Sequence, residues 1–312
     1  MVDTPVVSVI VPCFNRADTV VKALDTARIQ SVPHEIIVVD DASKDDLRGV
    51  IEGLNDPVMS YHRLEQNQGP SAARNVAIRH ARADWIALLD SDDRWLPGKL
   101  EAQLAYAKTE GLPACSTWYV NEFGAQGNEV LCRPEAPKYS VEILTRGSLF
   151  GLGTTLLARR EIFDVVGGFP QELRRMEDAE WLARYLRSHR FGVTPEVLAR
   201  VSATPVTATG CGGQLFLDCI GAFHERLAPE FAQLPPPVRR RYQATELDWA
   251  AWAFFREGAW RSGFGCMARS LRLRPLRSPG NLLNYVDAMT GTNLAAWAER
   301  LRQTTHSEGS GP

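Results

Sequence analysis

Short strand-like runs at 7–11, 35–39, 59–63 and 85–89 alternate with amphipathic stretches at 19–29, 45–54, 71–81 and 97–108. Runs of that length, bounded by turn residues, predict strands of a buried parallel sheet, and the 3.6-residue periodicity between them predicts the crossover helices. Their βαβα order makes this an α/β chain with a mostly parallel, Rossmann-like sheet flanked by helices. Each run ends in polar or turn residues, at 12–15, 40–43, 67–70 and 90–93. Four such loops on one edge of a sheet line a cleft.

Beyond residue 113 the pattern becomes irregular, with a strand expected over 114–120 and a hairpin partner near 129–132. Helical periodicity returns at 140–145, at 160–166, where Gly167-Gly168 stops it, and at 178–187, where Trp181, Leu182, Tyr185 and Leu186 form one apolar stripe. After Val206 come several glycines, further helical segments, a break at Pro235-Pro236-Pro237 and an aromatic-rich stretch over 249–260. Residues 258–275 are similar to one helix-turn-helix of a tetratricopeptide-type repeat, without a second copy at the required period. The expected organisation is an α/β domain over 1–205, a smaller helical C-terminal domain over 206–303 and a disordered tail over 304–312.

The chain has 312 residues, 45% of them hydrophobic and 23% charged, which is ordinary for a globular protein with a sizeable core. A formal charge of -2 argues against a nucleic-acid partner, which would select a basic footprint. The six cysteines are scattered without a C-x-x-C pair, so reduced buried thiols are expected rather than a zinc site. Neither a basic signal-peptide start nor an apolar run approaching the roughly 18 residues of a membrane span is present, and a cytoplasmic protein is expected. Between His224 and Arg302 there are twelve arginines, no lysine and seven acids. Such a surplus usually coats a solvated face; contact with anionic lipid headgroups at the inner face of a membrane, or with an anionic acceptor, is the functional alternative.

The most informative chemistry is the run Trp85-Ile86-Ala87-Leu88-Leu89-Asp90-Ser91-Asp92-Asp93, an apolar strand that delivers three carboxylates to its C-terminal end. Ligands of open α/β sheets collect beyond that end. Three adjacent negative charges repel unless a cation is near, so a hard divalent metal carrying phosphate oxygens is the natural occupant. Asp40-Asp41-Ala42-Ser43 follows the second strand in the same way and offers acceptors for a uracil imide or ribose hydroxyl, although Ser43 and Asp45 also suit helix capping. Arg74, on the first turn of the helix after Asn67-Gln68-Gly69-Pro70, sits at the positive end of a helix dipole and calls for an anion such as a diphosphate. Glu177-Asp178 opens another helix, where acids cap favourably; a carboxylate there also suits a general base on the acceptor side.

These segments occur in a fixed order: Val-Ile-Val-Pro-x-Phe-Asn at 9–15, Val-Val-Asp-Asp-x-Ser at 38–43, Asn-x-Gly-x-x-x-Ala-Arg-Asn at 67–75, Leu-Asp-Ser-Asp-Asp at 89–93, Gly-Gly-Phe at 167–169 and Glu-Asp at 177–178. Together they resemble the inverting family 2 glycosyltransferases with the GT-A fold, over 7–202. The resemblance implies a nucleotide-sugar donor, most simply UDP-linked, and a glycan or lipid-linked hydroxyl acceptor. It implies that Pro12, Asn15, Asp41 and Ser91 line the nucleotide pocket with Arg74 close by. Asp90 and Asp92 would form the D-x-D pair, Asp92 being the direct ligand of Mn²⁺ or Mg²⁺, and Asp178 would be the catalytic base. Two positions depart from the family pattern. Ala42 replaces a usual Gly, and Ala199-Arg200-Val201-Ser202 stands where many relatives carry Tyr-Arg-x-His, which leaves the last metal ligand to another group, with Thr204 and Thr207 as alternatives.

Three other readings compete. A polyprenyl-phosphate sugar synthase would keep the donor motifs and use a phosphate nucleophile that needs no base. A phosphoacceptor signalling domain would explain Asp40-Asp41 but not Asp90 to Asp93 or Asp178. A non-catalytic nucleotide-sugar-binding protein would be consistent with Ser202.

Overall fold

The computed structural model describes residues 4–123, 128–146, 151–203 and 212–275. The chain divides into two compact units, Met1–Thr204 and Pro205–Pro312. In the first, the elements run β1 (Val7–Cys13), α1 (Val20–Arg28), β2 (His34–Asp40), α2 (Leu47–Gly53), β3 (Met59–Arg63), α3 (Pro70–His80), β4 (Trp85–Leu88), β5 (Arg94–Trp95), α4 (Lys99–Glu110), β6 (Ala114–Phe123), β7 (Asn128–Cys132), α5 (Glu142–Arg146), α6 (Leu152–Thr155), β8 (Leu157–Arg159), α7 (Arg160–Val165), α8 (Glu177–Tyr185) and β9 (Gly192–Ala203).

These strands form one sheet in the order β3-β2-β1-β4-β8-β6-β9-β5, with β7 paired to β6. β1, β2, β3 and β4 are mutually parallel, as their apolar runs predict, and Val7 is level with both His34 and Trp85. Their C-terminal ends therefore share one edge. Val9, Val11, Ile36, Val38, Ala87 and Leu89 are buried in the main core. Each large aliphatic side chain there contributes about 1.5–3 kcal/mol by leaving water. The expected Trp181, Leu182, Tyr185 and Leu186 stripe of α8 is buried throughout.

Three strands escape the sequence pattern. β5 and β8 are two and three residues long, too short for a periodic signal. β9 contains Pro195, which argues against a strand, but the sheet accommodates it by an irregularity: Thr117 pairs with Thr194 and Trp118 with Val197, and the Thr117 hydroxyl donates to the Glu196 carbonyl at 2.5 Å.

The second unit contains α9 (Gly213–Arg226), α10 (Ala228–Gln233), α11 (Pro236–Arg256) and α12 (Trp260–Leu273). Phe216, Leu247, Ala250, Ala251, Phe254, Phe255 and Cys266 form its core. The proline run starts a helix: Pro235 is the N-cap of α11, and Pro236 and Pro237 occupy the first turn, where no amide hydrogen is needed. The expected helix-turn-helix over 258–275 is corrected to one turn and one helix. That helix packs on α11, and Gly263 lies inside it with Phe255 too close for a β-carbon, 2.5 Å from where one would sit. The tail over 304–312, Thr204 and Thr207 lie outside the described residues.

Candidate active site

The acid run is a tight turn. The Asp93 amide donates to the Asp90 carbonyl at 3.1 Å, and the chain then enters β5, which pairs with β9. The three carboxylates leave this turn in different directions. Asp90 Oδ1 accepts from Arg74 Nη2 at 2.7 Å, Asp92 Oδ2 accepts from Arg16 Nη2 at 3.1 Å, and Asp93 is buried, bonded to the Thr154 hydroxyl and to the Ser202 amide. Burial, and then repulsion from Asp90 and Asp92, push the Asp93 carboxyl well above the ordinary range. Two arginines thus neutralise much of the repulsion that the sequence places here, and the third acid becomes a structural anchor.

Arg74 is the hub. Its guanidinium is 3% exposed and spans Asp90 on one side and Glu177 Oε1, also at 2.7 Å, on the other. Burial works against its charge, but the two carboxylates outweigh that and hold its pKa above the usual arginine value. The anion required beside Arg74 is therefore supplied by the chain itself. Removing one partner of such a buried pair costs about 3–5 kcal/mol, so Arg74 fixes the position of Asp90 with some rigidity.

Glu177 and Asp178 begin α8 directly after Met176, whose φ is +65°. Asp178 accepts the Ala179 amide at 2.8 Å. Desolvation first and the neighbouring Glu177 second raise its pKa to about 6, with Arg74 opposing. A carboxyl of that pKa, on the same cluster as Asp90, suits proton abstraction near neutral pH.

The loops after β1 and β2 are tied together by the polar residues expected there. Asn15, at φ +52°, donates its amide to the Ser43 hydroxyl at 2.9 Å and accepts the Lys44 amide at 2.7 Å. Asp45 accepts the Ala17 amide at 2.9 Å, and the N-cap of α2 is Asp46, not Ser43 or Asp45. Asp40 is fully buried. Burial opposes its charge, but Ser43, Tyr61 and Arg63 prevail and lower its pKa, which marks a structural acid. Asp41 instead receives the Gln68 and Gly69 amides, each at 2.7 Å, and its pKa is raised by burial. Ala42, in the usual glycine position, has φ +61°. Pro12 is buried in β1 opposite Val39, and Ser91 is buried beside the Cys13 thiol.

Among the described residues, Asn15, Ala42, Asn55 and Met176 are the non-glycine positions with positive φ. Three of the four flank this cluster, the pattern of strain held at a functional site. Residues that sequence reasoning passed over complete it: Arg16, Thr154, Gly153 and Arg174, whose guanidinium donates to Asn67 Oδ1 at 2.6 Å. A β-carbon on Gly153 would lie 2.2 Å from Asp90 Oδ2, so only glycine fits there. α6, which carries Gly153 and Thr154, is pinned by Trp95 Nε1 donating to the Thr154 carbonyl at 2.8 Å and by Gln103 Nε2 donating to that of Thr155 at 2.9 Å. No local motif marks these residues; they are distant in sequence from the acids they hold.

Asp90 and Asp92 present oxygen donors only, which suits a hard cation. Among the described residues, no group of three or more His, Cys, Asp or Glu converges to hold a metal by itself. Ser202 uses its backbone on Asp93. Two carboxylates fit an ion that arrives on substrate phosphates and completes its shell with them and with water, as Mg²⁺ commonly does.

The family model for glycosyl transferase family 2 matches residues 8–167. The chain is 30% identical to the putative teichuronic acid biosynthesis glycosyltransferase TuaG of Bacillus subtilis over 57% of this chain and 71% of that protein. It is 31% identical to the putative colanic acid biosynthesis glycosyl transferase WcaA of Escherichia coli, over 48% of this chain and 56% of that one. It is 40% identical to the succinoglycan biosynthesis protein ExoO of Rhizobium meliloti, over 34% and 31%. The last two matches span less than two thirds of those relatives. Among solved structures, Staphylococcus aureus TarS 1-349 in complex with UDP-GlcNAc aligns with TM-score 0.61 at 18% identity, over 96% of this chain and 92% of that one. The mannosyltransferase PcManGT of Pyrobaculum calidifontis, in complex with GDP-Man and Mn²⁺, aligns with TM-score 0.55 at 18% identity, over 96% and 80%. The mixed sheet with its parallel β1–β4 half and acid turn, the motif order and these matches lead to one conclusion: the chain is a GT-A fold glycosyltransferase and belongs to glycosyl transferase family 2.

Proposed function

We propose that the protein transfers a sugar, with inversion, from a nucleoside-diphosphate donor, UDP-linked in the first instance, to a hydroxyl of a growing polysaccharide or lipid-linked glycan. The observation that carries this reading is the chain of contacts Asp90–Arg74–Glu177 leading to Asp178, which puts a carboxyl of raised pKa beside the D-x-D turn. In this reading Pro12, Asn15, Asp41 and Ser91 bound the nucleoside end of the cleft, Arg74 holds Asp90 in place near the diphosphate, and Asp90 and Asp92 anchor Mn²⁺ or Mg²⁺. When bound, that ion offsets the negative charge of the departing diphosphate. Asp178 takes the proton of the attacking hydroxyl, and attack from the face opposite the diphosphate inverts the anomeric carbon. The relatives named for teichuronic acid, colanic acid and succinoglycan biosynthesis support a polysaccharide setting.

A panel of UDP- and GDP-sugars, each with and without Mn²⁺ or Mg²⁺, tests the donor by thermal stabilisation and by sugar release. A matched donor at about a hundred times its Kd adds about 2.7 kcal/mol to stability. Silence from every donor would count against the enzyme reading. Transfer that survives Asp178→Asn would favour a polyprenyl phosphate as acceptor, since a phosphate is already ionised. Among the described residues no helix is long and apolar enough to cross a membrane. A cytoplasmic location, with contact at the inner membrane face, is part of this proposal.

A further inference from the structure

The helix α12 reads Trp-Arg-Ser-Gly-Phe-Gly-Cys-Met-Ala-Arg-Ser-Leu-Arg-Leu and contains three arginines and no acid. One face is committed to the second unit: Gly263, Cys266 and Ser270 are buried, and the Ser270 hydroxyl donates to the Ala244 carbonyl at 2.7 Å. The flank beside it carries three partly exposed apolar side chains: Trp260 is 44% exposed, Phe264 47% and Leu271 37%, and the first two rest against the buried Phe255 ring at centroid distances of 5.8 and 5.1 Å. At 3.6 residues per turn these three fall within about 40° of one another around the axis, and Arg261, Arg272 and Arg269 follow next to them over roughly the next quarter-turn. A ridge of large apolar side chains thus runs beside a ridge of arginines. On its far side the arginine ridge borders a groove of about 600 Å³ that includes Leu217, Ile220 and Leu247 in its lining.

We propose that this face of α12 rests on an anionic lipid bilayer, with Trp260, Phe264 and Leu271 entering the headgroup boundary and the three arginines meeting lipid phosphates. Packing on Phe255 accounts for one edge of Trp260 and of Phe264; their outer edges, together with Leu271, stay open to water beside the arginines, which is the composition of an interfacial helix. Arginine stems can lie along the hydrocarbon while their guanidinium groups stay at phosphate level. A second copy of the chain fits worse: in an antiparallel two-fold contact through this face the two arginine ridges would meet. The inference concerns α12 alone and is independent of which donor the catalytic cluster accepts.

The test is flotation of the full-length chain with phosphatidylglycerol-containing vesicles and with pure phosphatidylcholine vesicles, at low and high ionic strength. The expected result is binding to the anionic vesicles that weakens with salt. Arg261→Gln/Arg269→Gln/Arg272→Gln should lower the partition coefficient on the order of a hundredfold, at about fivefold per charge. Phe264→Ser/Leu271→Ser should abolish it with the far-UV circular dichroism unchanged; because Phe264 also meets the Phe255 ring, the single variant Leu271→Ser, which should weaken binding in the same direction, checks that the loss is not unfolding. Absence of wild-type binding, equal binding to the two vesicle types, or binding unaltered in both variants would each overturn the proposal. So would self-association that Phe264→Ser/Leu271→Ser removes while vesicles stay unbound.

Discussion

Asp93 and Ser202 are joined by a hydrogen bond from main chain to side chain, in which the Ser202 amide donates to Asp93 Oδ1 at 2.7 Å. This contact fastens the acid turn after β4 to the end of β9. It also changes the meaning of the position where relatives carry Tyr-Arg-x-His. Residue 202 serves here through its main chain, which any non-proline residue can supply, and the third acid of the run supports the turn. Asp90 and Asp92, each paired with an arginine, are the two acids proposed to anchor the cation.

Asp92→Ala should cut transfer by at least about a hundredfold, the scale on which a lost electrostatic contact to a developing charge is felt. The fold should survive: the Arg16–Asp92 pair is partly exposed, at 24% and 18% of its side-chain surfaces, and such pairs contribute about 1 kcal/mol or less. Transfer assays together with thermal melting separate the two effects. Wild-type turnover in this variant would dismiss Asp92 as the anchor of the cation.

The raised pKa of Asp178 sets a pH dependence. Its carboxyl is protonated below about 6 and cannot accept a proton there, so kcat/KM should rise with pH through that region and level off above it. The stability effect has the opposite sign. A carboxyl with a folded pKa above its ordinary 3.8 binds its proton more tightly in the native state, so stability contributed below 3.8 is lost as pH rises towards 6. Melting curves of wild type and Asp178→Asn across this range should converge at low pH and separate at high pH in favour of the variant. Parallel curves would mean the carboxyl is not perturbed in this way.

Gly153→Ala tests the rear wall of the site. Its new methyl would meet Asp90 Oδ2 at 2.2 Å and Arg74 Nη2 at 3.0 Å, so the carboxylate must move. Displacement on the scale of 1 Å costs roughly a hundredfold in rate where geometry is decisive. An unchanged kcat/KM, in a variant whose circular dichroism matches the wild type, would show that the Asp90 position is not critical.

Ala42→Gly should stabilise the protein by up to about 1 kcal/mol. The left-handed conformation at φ +61° costs an alanine about 1–2 kcal/mol, part of which the greater unfolded-state freedom of glycine cancels. The denaturant midpoint measures this directly. A lower midpoint would mean that the alanine methyl contributes more by packing than its backbone strain takes away.

The sheet strands at 7–11, 35–39, 59–63 and 85–89 were legible because burial in a parallel sheet leaves a compositional trace at short range. The motif acids were legible because they cluster within a few positions at strand ends. Less visible were β9, in which Pro195 argues against a strand until the sheet's irregularity accommodates it, and the division of labour within Asp90 to Asp93. Sequence adjacency put three carboxylates in one place, and the family resemblance implied Asp90 and Asp92 as the metal pair, but neither said what would hold each acid. Their partners, Arg74, Arg16 and Thr154, come from α3, the loop after β1 and α6.

The amino-acid sequence by itself determined the α/β order, the edge of the sheet at which the chemistry collects, and the residue types available there, because strand burial and turn chemistry are local properties. Only the tertiary structure decided which partner each acid has, that Asp93 is buried, and that burial and Glu177 raise the Asp178 pKa to about 6. Those outcomes depend on desolvation and on charges brought together from segments more than a hundred residues apart, such as Arg74 and Glu177, separated by 103 positions. Electrostatics of that range is set by folding, and no window along the chain contains it.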